Sequence, residues 1–118
     1  MDDLSPPPVS PEPPSPMELH TLTLITIVAE PVLEERLTRR LLELGATGYT
    51  VMDIRGRGTR GIRTGDIPGQ GIRIETLVTD EVAEAILEEA TASWFPHYAV
   101  VVWASPARVV RGDKYVEG

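Results

Sequence analysis

The hydrophobic pattern of this chain switches back and forth between a period of two and a period of 3.6, and the order of those switches restricts the fold more than any single motif. Leu22-Thr23-Leu24-Ile25-Thr26-Ile27-Val28 is short and rich in β-branched residues, as a buried strand is. Glu30-Pro31 then punctuates the chain. Leu33, Leu37, Leu41 and Leu44 follow at helical spacing, with acids early and Arg36, Arg39 and Arg40 later, so the macrodipole is complemented at both ends. Gly45 stands where a left-handed cap ends that helix. Tyr49-Thr50-Val51-Met52-Asp53-Ile54 predicts a second strand. Ile72 to Val78 predicts a third, alternating Ile/Ile/Thr/Val with Arg/Glu/Leu. Thr79-Asp80-Glu81 is a helix entry, and Val82, Ala83, Ile86, Leu87 and Ala90 share one side of the helix it opens. Tyr98 to Ala104 predicts the fourth strand.

The order is therefore β-α-β-β-α-β. This predicts an α+β, ferredoxin-like βαββαβ domain, an antiparallel four-stranded sheet with two helices on one face. The other face is left uncovered in a single chain. Strands two and three present apolar residues both ways, Val51 against Met52 and Ile54, and Ile72 and Ile74 against Leu77. An uncovered apolar sheet associates, so a homo-oligomer built on that face is expected.

The chain's 118 residues supply one domain. Seven of its eleven prolines fall in the first 16 residues, and such a tract forms neither helix nor central strand. Residues 1–17 are thus expected to be a disordered Pro-rich tail, 18–107 the folded domain, and 108–118 a C-terminal loop or tail. The longest apolar runs, such as Tyr98 to Ala104, fall far short of the roughly 18 to 20 residues of a spanning helix. Met-Asp-Asp-Leu-Ser-Pro carries acid where a secretory signal needs base, which predicts a cytoplasmic location. The absence of cysteine removes disulfides, thiolate zinc sites and cysteine nucleophiles. A net charge of −7 argues against nucleic-acid binding, which needs clustered cations.

The charge is unevenly spread. Residues 55–73 hold five arginines against one acid, Asp66, while residues 80–93 hold five acids and no base. Six of the ten glycines lie between Gly56 and Gly71, which predicts a loop of about sixteen residues, and loops of that length usually carry function. Gly56-x-Gly58-x-x-Gly61 matches a dinucleotide pattern in letters only. No helix can begin in Thr64-Gly65-Asp66-Ile67-Pro68-Gly69-Gln70-Gly71, and the chain's only lysine is Lys114, so Rossmann and Walker readings both fail. What remains is physical: glycines let backbone amides approach an anion, and arginines offer planar charged forks to phosphate or carboxylate. The alternative is a solvated hairpin whose arginines balance the acidic helix. No aromatic lies between Arg55 and Val78 to stack a base of RNA.

Catalytic signals are weak. His20 and His97 have no metal-ligand spacing, and the serines have no identifiable base. Asp80, Glu81, Glu84, Glu88 and Glu89 read as the wet side of one helix, and Trp94-Phe95-Pro96 as core packing and a turn.

Gly45-Ala46-Thr47-Gly48-Tyr49-Thr50-Val51, followed by Gly58-Thr59-Arg60-Gly61-Ile62-Arg63 at the start of the long loop, resembles the PII-like signalling proteins. Within them it is most similar to the branch of the bicarbonate-transporter regulator SbtB and the carboxysome-associated PII protein. The resemblance spans about Thr21 to Ala107 and implies a homotrimer with adenine nucleotides in the clefts between subunits. It also implies a T-loop, here residues 55–71, that changes order with ligand state and engages a target protein. By residue match, Gly48, Tyr49 and Thr50 lie along the cleft near the base. Arg60 and Arg63 reach the phosphates, with Gly58, Thr59 and Gly61 adding backbone amides and a hydroxyl. Bicarbonate is a further ligand implied for the carboxysome branch, and no metal is required.

The chain departs from the family in two places. Ser93-Trp94-Phe95-Pro96-His97-Tyr98 replaces the glycine- and lysine-rich phosphate loop of standard PII proteins, which favours AMP, ADP or cyclic AMP over ATP with 2-oxoglutarate and magnesium. The tail from Arg108 to Tyr115 is basic but lacks the cysteine pair of some SbtB proteins. The expectation is a non-enzymatic binding switch whose partner is a bicarbonate transporter or a carboxysome component, which would recruit it to a membrane or a carboxysome. A scaffolding trimer that binds only proteins, and a metal-tolerance protein of the CutA type, are the alternatives.

Overall fold

The computed structural model describes residues 19–56 and 69–110. The Pro-rich tail expected over 1–17, the T-loop residues 57–68 and the chain beyond residue 110 lie outside the described residues. Four strands, β1 (His20–Ala29), β2 (Thr50–Gly56), β3 (Gly69–Val78) and β4 (Val101–Val109), form one antiparallel sheet in the order β2-β3-β1-β4. Helices α1 (Glu34–Glu43) and α2 (Asp80–Glu89) complete the expected βαββαβ order.

Residues paired across antiparallel strands share a face. Ile25 pairs with Thr76 and Ala104, and Ile27 with Ile74 and Val102, so these lie on the side where Leu37 and Leu41 of α1 and Ala83 and Ile86 of α2 close the core. Ile25, Ile27, Leu37, Leu41, Ile74 and Ile86 are fully buried. Each contributes about 1.5–3 kcal/mol by leaving water.

Local chemistry sets the helix ends. Pro31 occupies a 3-10 turn, Pro31–Leu33, that leads into α1, where its missing N–H costs nothing. Gly45 has φ 118°, as a left-handed cap requires. The Ala46 N–H donates to the Leu41 carbonyl at 3.0 Å and the Gly45 N–H to the Leu42 carbonyl at 3.2 Å, the two bonds of a Schellman motif. Thr79 caps α2, its hydroxyl accepting from the Val82 N–H at 3.4 Å. A π turn at Ala90–Trp94 extends α2 and buries Trp94 in the core.

Several boundaries differ from the sequence reading. β2 runs on to Gly56 and β3 starts at Gly69, rather than at Ile54 and Ile72, so residues 55, 56 and 69–71 of the expected loop pair as strand. Tyr98 to Val100 precede β4, because the chain is still turning out of the π turn, with the Tyr98 N–H bonded to the Trp94 carbonyl at 2.8 Å. At its far end β4 runs to Val109, pairing with His20, and Pro106 is accommodated because β4 is an edge strand. The second face of the sheet is also less bare than expected. It carries Leu24, Val28, Met52, Ile54 and Leu77, with Val101 and Trp103 about two-fifths exposed, but Arg73 and Glu75 cross it as an ion pair.

Candidate functional site

β2 begins at Thr50, opposite Glu75, whereas β3 continues to Val78. That three-residue overrun leaves one side of β3 without a strand, and the segment leading into β2 walls it. The result is an open groove of about 300 Å³ lined by Leu24, Thr47, Gly48, Tyr49, Thr50, Glu75, Thr76 and Leu77. The three residues expected beside a base, Gly48, Tyr49 and Thr50, are thus brought together in one wall. Leu24 and Leu77 pair across β1 and β3 as an apolar floor, and Tyr49 is 43% exposed beside it. Such a surface suits the face of a planar heterocycle.

The wall is tied down from inside. The Thr76 hydroxyl, on a residue 3% exposed, donates to the Gly48 carbonyl at 2.6 Å. Among the described residues no atom lies within 4 Å of where a Gly48 Cβ would stand, so its lack of a side chain leaves open space at the groove.

Sequence reasoning placed five further residues, Gly58, Thr59, Arg60, Gly61 and Arg63, at the phosphates; all five lie outside the described residues. The strands leading to them are described. Gly56 pairs with Gly69 and Arg55 with Gln70, so β2 and β3 stay in register to the root of the loop. A second hollow of about 470 Å³ opens there, lined by Pro31, Asp53, Ile54, Arg55, Gln70 and Gly71. The sequence reading missed Leu24, Thr47, Glu75, Thr76 and Leu77. The alternation of β3 was visible, but its overrun past β2 depends on register, which a single sequence does not specify.

Other polar groups serve the scaffold. Arg40 bridges the helices, its Nε donating to Glu89 at 2.9 Å and its Nη1 to Glu43 at 3.0 Å. These bonds, first that to Glu89, raise the Arg40 pKa; the bond from Arg40 lowers that of Glu89 against the opposing effect of partial burial. Glu89 is therefore more than wet surface. Asp80 accepts from the Thr23 hydroxyl at 2.8 Å. Arg36 donates to the Tyr98 hydroxyl and lies 5.7 Å from its ring centroid, which fixes the turn after α2. Among the described residues no cluster of three His, Cys, Asp or Glu side chains could hold a metal, and no helix is long and apolar enough to cross a membrane.

Comparison with known proteins accounts for this arrangement. Residues 22–114 match the family of the nitrogen regulatory protein P-II. The chain belongs to that family. A PII-like signaling protein from Thermus thermophilus is 52% identical, with 84% of this chain and 99% of that one aligned at a TM-score of 0.72. CPII from Thiomonas intermedia, in a structure bound to ADP and bicarbonate, is 27% identical over 84% of this chain and 98% of its own, with a TM-score of 0.71. A second CPII structure, bound to ADP, AMP and acetate, is 25% identical over 83% and 97% of the two chains at a TM-score of 0.72. The ferredoxin-like sheet and helices are thus those of a PII-like protein, and the chain is a PII-like regulator.

Proposed function

We propose that this P-II protein is a sensor of adenine nucleotides, with AMP, ADP or cyclic AMP ahead of ATP, acting as a binding switch without bond chemistry. The observation that carries the reading is the groove at Gly48, Tyr49 and Thr50: it has an apolar floor, an exposed aromatic and a fixed wall, in a family whose CPII member has been solved with ADP and AMP. The base end of the nucleotide enters this groove. Arg60 and Arg63, with Gly58, Thr59 and Gly61, take the phosphates across a seam between copies of the chain in a homotrimer.

The energetics suit a switch. Losing one arginine fork from a phosphate costs about 1.5–3 kcal/mol, and ordering a glycine-rich loop costs about 1 kcal/mol or more per residue fixed. Comparable opposing terms let a second ligand or a partner tip the T-loop, residues 55–71, between states. Bicarbonate is that second ligand, as the CPII structure with ADP and bicarbonate suggests. The regulated partner is a bicarbonate transporter or a carboxysome component met by the T-loop, which places the protein in the SbtB and carboxysome-associated branch. The protein works in the cytoplasm, recruited to a membrane or a carboxysome by that partner. The match to P-II favours this reading over the CutA type.

Calorimetric titration of AMP, ADP, cyclic AMP and ATP, each with and without bicarbonate, into wild type and Arg60→Ala tests the proposal. Wild type is expected to bind at least one adenine nucleotide, and Arg60→Ala to bind it roughly ten- to hundredfold more weakly. An unchanged affinity in Arg60→Ala removes that residue from the phosphate role. Absence of binding and of any thermal shift with all four nucleotides leaves the scaffolding trimer.

A further inference from the structure

This inference rests on the nucleotide reading and concerns what fills the groove before a nucleotide does. Residues 1–18 lie outside the described residues and outside the stretch that matches the family, which begins at residue 22. They join the domain at Leu19, one residue before β1, and Leu24 of the groove floor stands five residues further on. At about 3.3 Å per residue of strand, that separation is about 16 Å. Pro8 to Pro14 stand five to eleven residues before Leu19. An extended chain reaches about 3.3 Å per residue, so this stretch can turn back and lie over the groove.

Its sequence has a face. Pro8, Pro11 and Pro14 recur at a spacing of three. A polyproline II helix has three residues per turn, so their rings fall along one edge, about 9 Å apart. Proline-rich segments dock on exposed aromatic rings because that helix is preformed and loses little conformational entropy on binding. Tyr49 supplies the ring, and Leu24 and Leu77 the apolar floor. Polyproline II leaves its carbonyls without internal partners, and the hydroxyls of Thr47 and Thr50 at the groove can donate to them. Glu75, which also lines the groove, accepts from the Arg73 Nε at 3.0 Å and so meets the segment as half of an ion pair. The prolines lack the N–H groups needed to add a strand to the open side of β3, which leaves docking through the rings.

We propose that the segment Pro8–Pro14 of this chain docks in the groove at Gly48, Tyr49 and Thr50, its proline edge against Tyr49 and the leucine floor, and that a nucleotide must displace it to bind. The tail thereby sets the threshold of the sensor. Filling the groove from about half to about nine-tenths of the time lowers the apparent nucleotide affinity about two- to tenfold.

The test uses the full chain. Ser5→Cys gives a protein with no other cysteine one attachment point for a nitroxide, three residues before the docking segment. Without ADP, the amide NMR signals of Thr47 to Thr50 and of Leu77 are expected to broaden relative to the reduced label, and to recover when ADP saturates. Pro8→Gly, Pro11→Gly and Pro14→Gly together are expected to abolish the broadening and to tighten ADP binding about two- to tenfold in calorimetry. Pro7→Gly, Pro13→Gly and Pro16→Gly together remove as many prolines but leave the edge in place, and should keep most of the broadening and the wild-type affinity. Broadening that is absent, spread evenly or centred on exposed Val32 and Phe95 overturns the proposal. So does broadening that ADP leaves unchanged while it binds, equal ADP affinity in wild type and the first triple variant, or the same effect from both triples. If neither wild type nor the first triple variant binds ADP, the nucleotide reading falls and displacement with it, while broadening at the groove still decides the docking.

Discussion

Replacing Thr76 by valine isolates one bond that ties the groove wall to β3. The hydroxyl donates to the Gly48 carbonyl at 2.6 Å, and a methyl in its place meets that oxygen well inside the roughly 3.3–3.6 Å of a C···O contact. The wall must therefore retreat by about 0.7 Å or more. The bond itself is worth about 1 kcal/mol, and the added apolar burial offsets at most about 0.8 kcal/mol of the total loss. Gly48 is exposed, so water can reach its freed carbonyl and limit the penalty. Together these give a net loss of about 0.5–1 kcal/mol, a fall of roughly 2–8 °C in Tm for a domain of this size. Restoring the wall for a ligand transfers at most the same amount to binding, so ADP affinity falls by up to about fivefold. Thr76→Ser is the control, since it keeps the hydroxyl and loses only a methyl. It should lower Tm by a similar amount and leave affinity alone. Thermal unfolding by circular dichroism at fixed protein concentration, with ADP titration by calorimetry, separates the two. If Thr76→Val keeps both Tm and affinity, or Thr76→Ser loses affinity equally, the bond does not position the wall.

Gly48→Ala meets no atom of the described residues within 4 Å and no positive φ, so it should keep or raise stability by up to about 1 kcal/mol while weakening ADP more than tenfold, read by denaturation and calorimetry on one preparation. Gly45→Ala forces a Cβ to 3.0 Å from the Val82 Cγ2 at φ 118° and should cost about 1–2 kcal/mol or more in urea denaturation, with ADP affinity little changed. Glu89 has a lowered pKa in the folded state because Arg40 hydrogen-bonds its carboxylate, so its stabilisation is fully present above its ordinary value of 4.5 and is lost as pH falls through the folded value. The stability gap between wild type and Glu89→Gln should therefore be constant near neutrality and close only below about pH 4.5, measured by thermal unfolding across that range.

The elements were legible where a residue's own chemistry decides its conformation. Gly45 is read as a cap because left-handed backbone excludes most side chains, and Thr79 because a hydroxyl before an apolar repeat satisfies an orphan N–H. The order of periods then left one arrangement of sheet and helices. Registers were not legible, and the groove is a consequence of register. Nothing in Tyr49-Thr50-Val51 says that β2 begins opposite Glu75 rather than opposite Leu77, yet two residues of slip would pair the edge that now stands open and abolish the groove. The C-terminal strand fails for a related reason. Tyr98-Ala99-Val100 has β propensity, but the π turn holds it in a bend, while Pro106 and Arg108 enter a strand their propensities disfavour because β1 extends far enough to pair them. Glu75 shows the limit most clearly. In sequence it is an acid on the polar side of a strand. Its two roles, facing the groove and holding Arg73 over the sheet, exist only because β2 starts opposite it at Thr50, so that just beyond it β3 is bordered by β1 on one side and by a tethered glycine loop on the other.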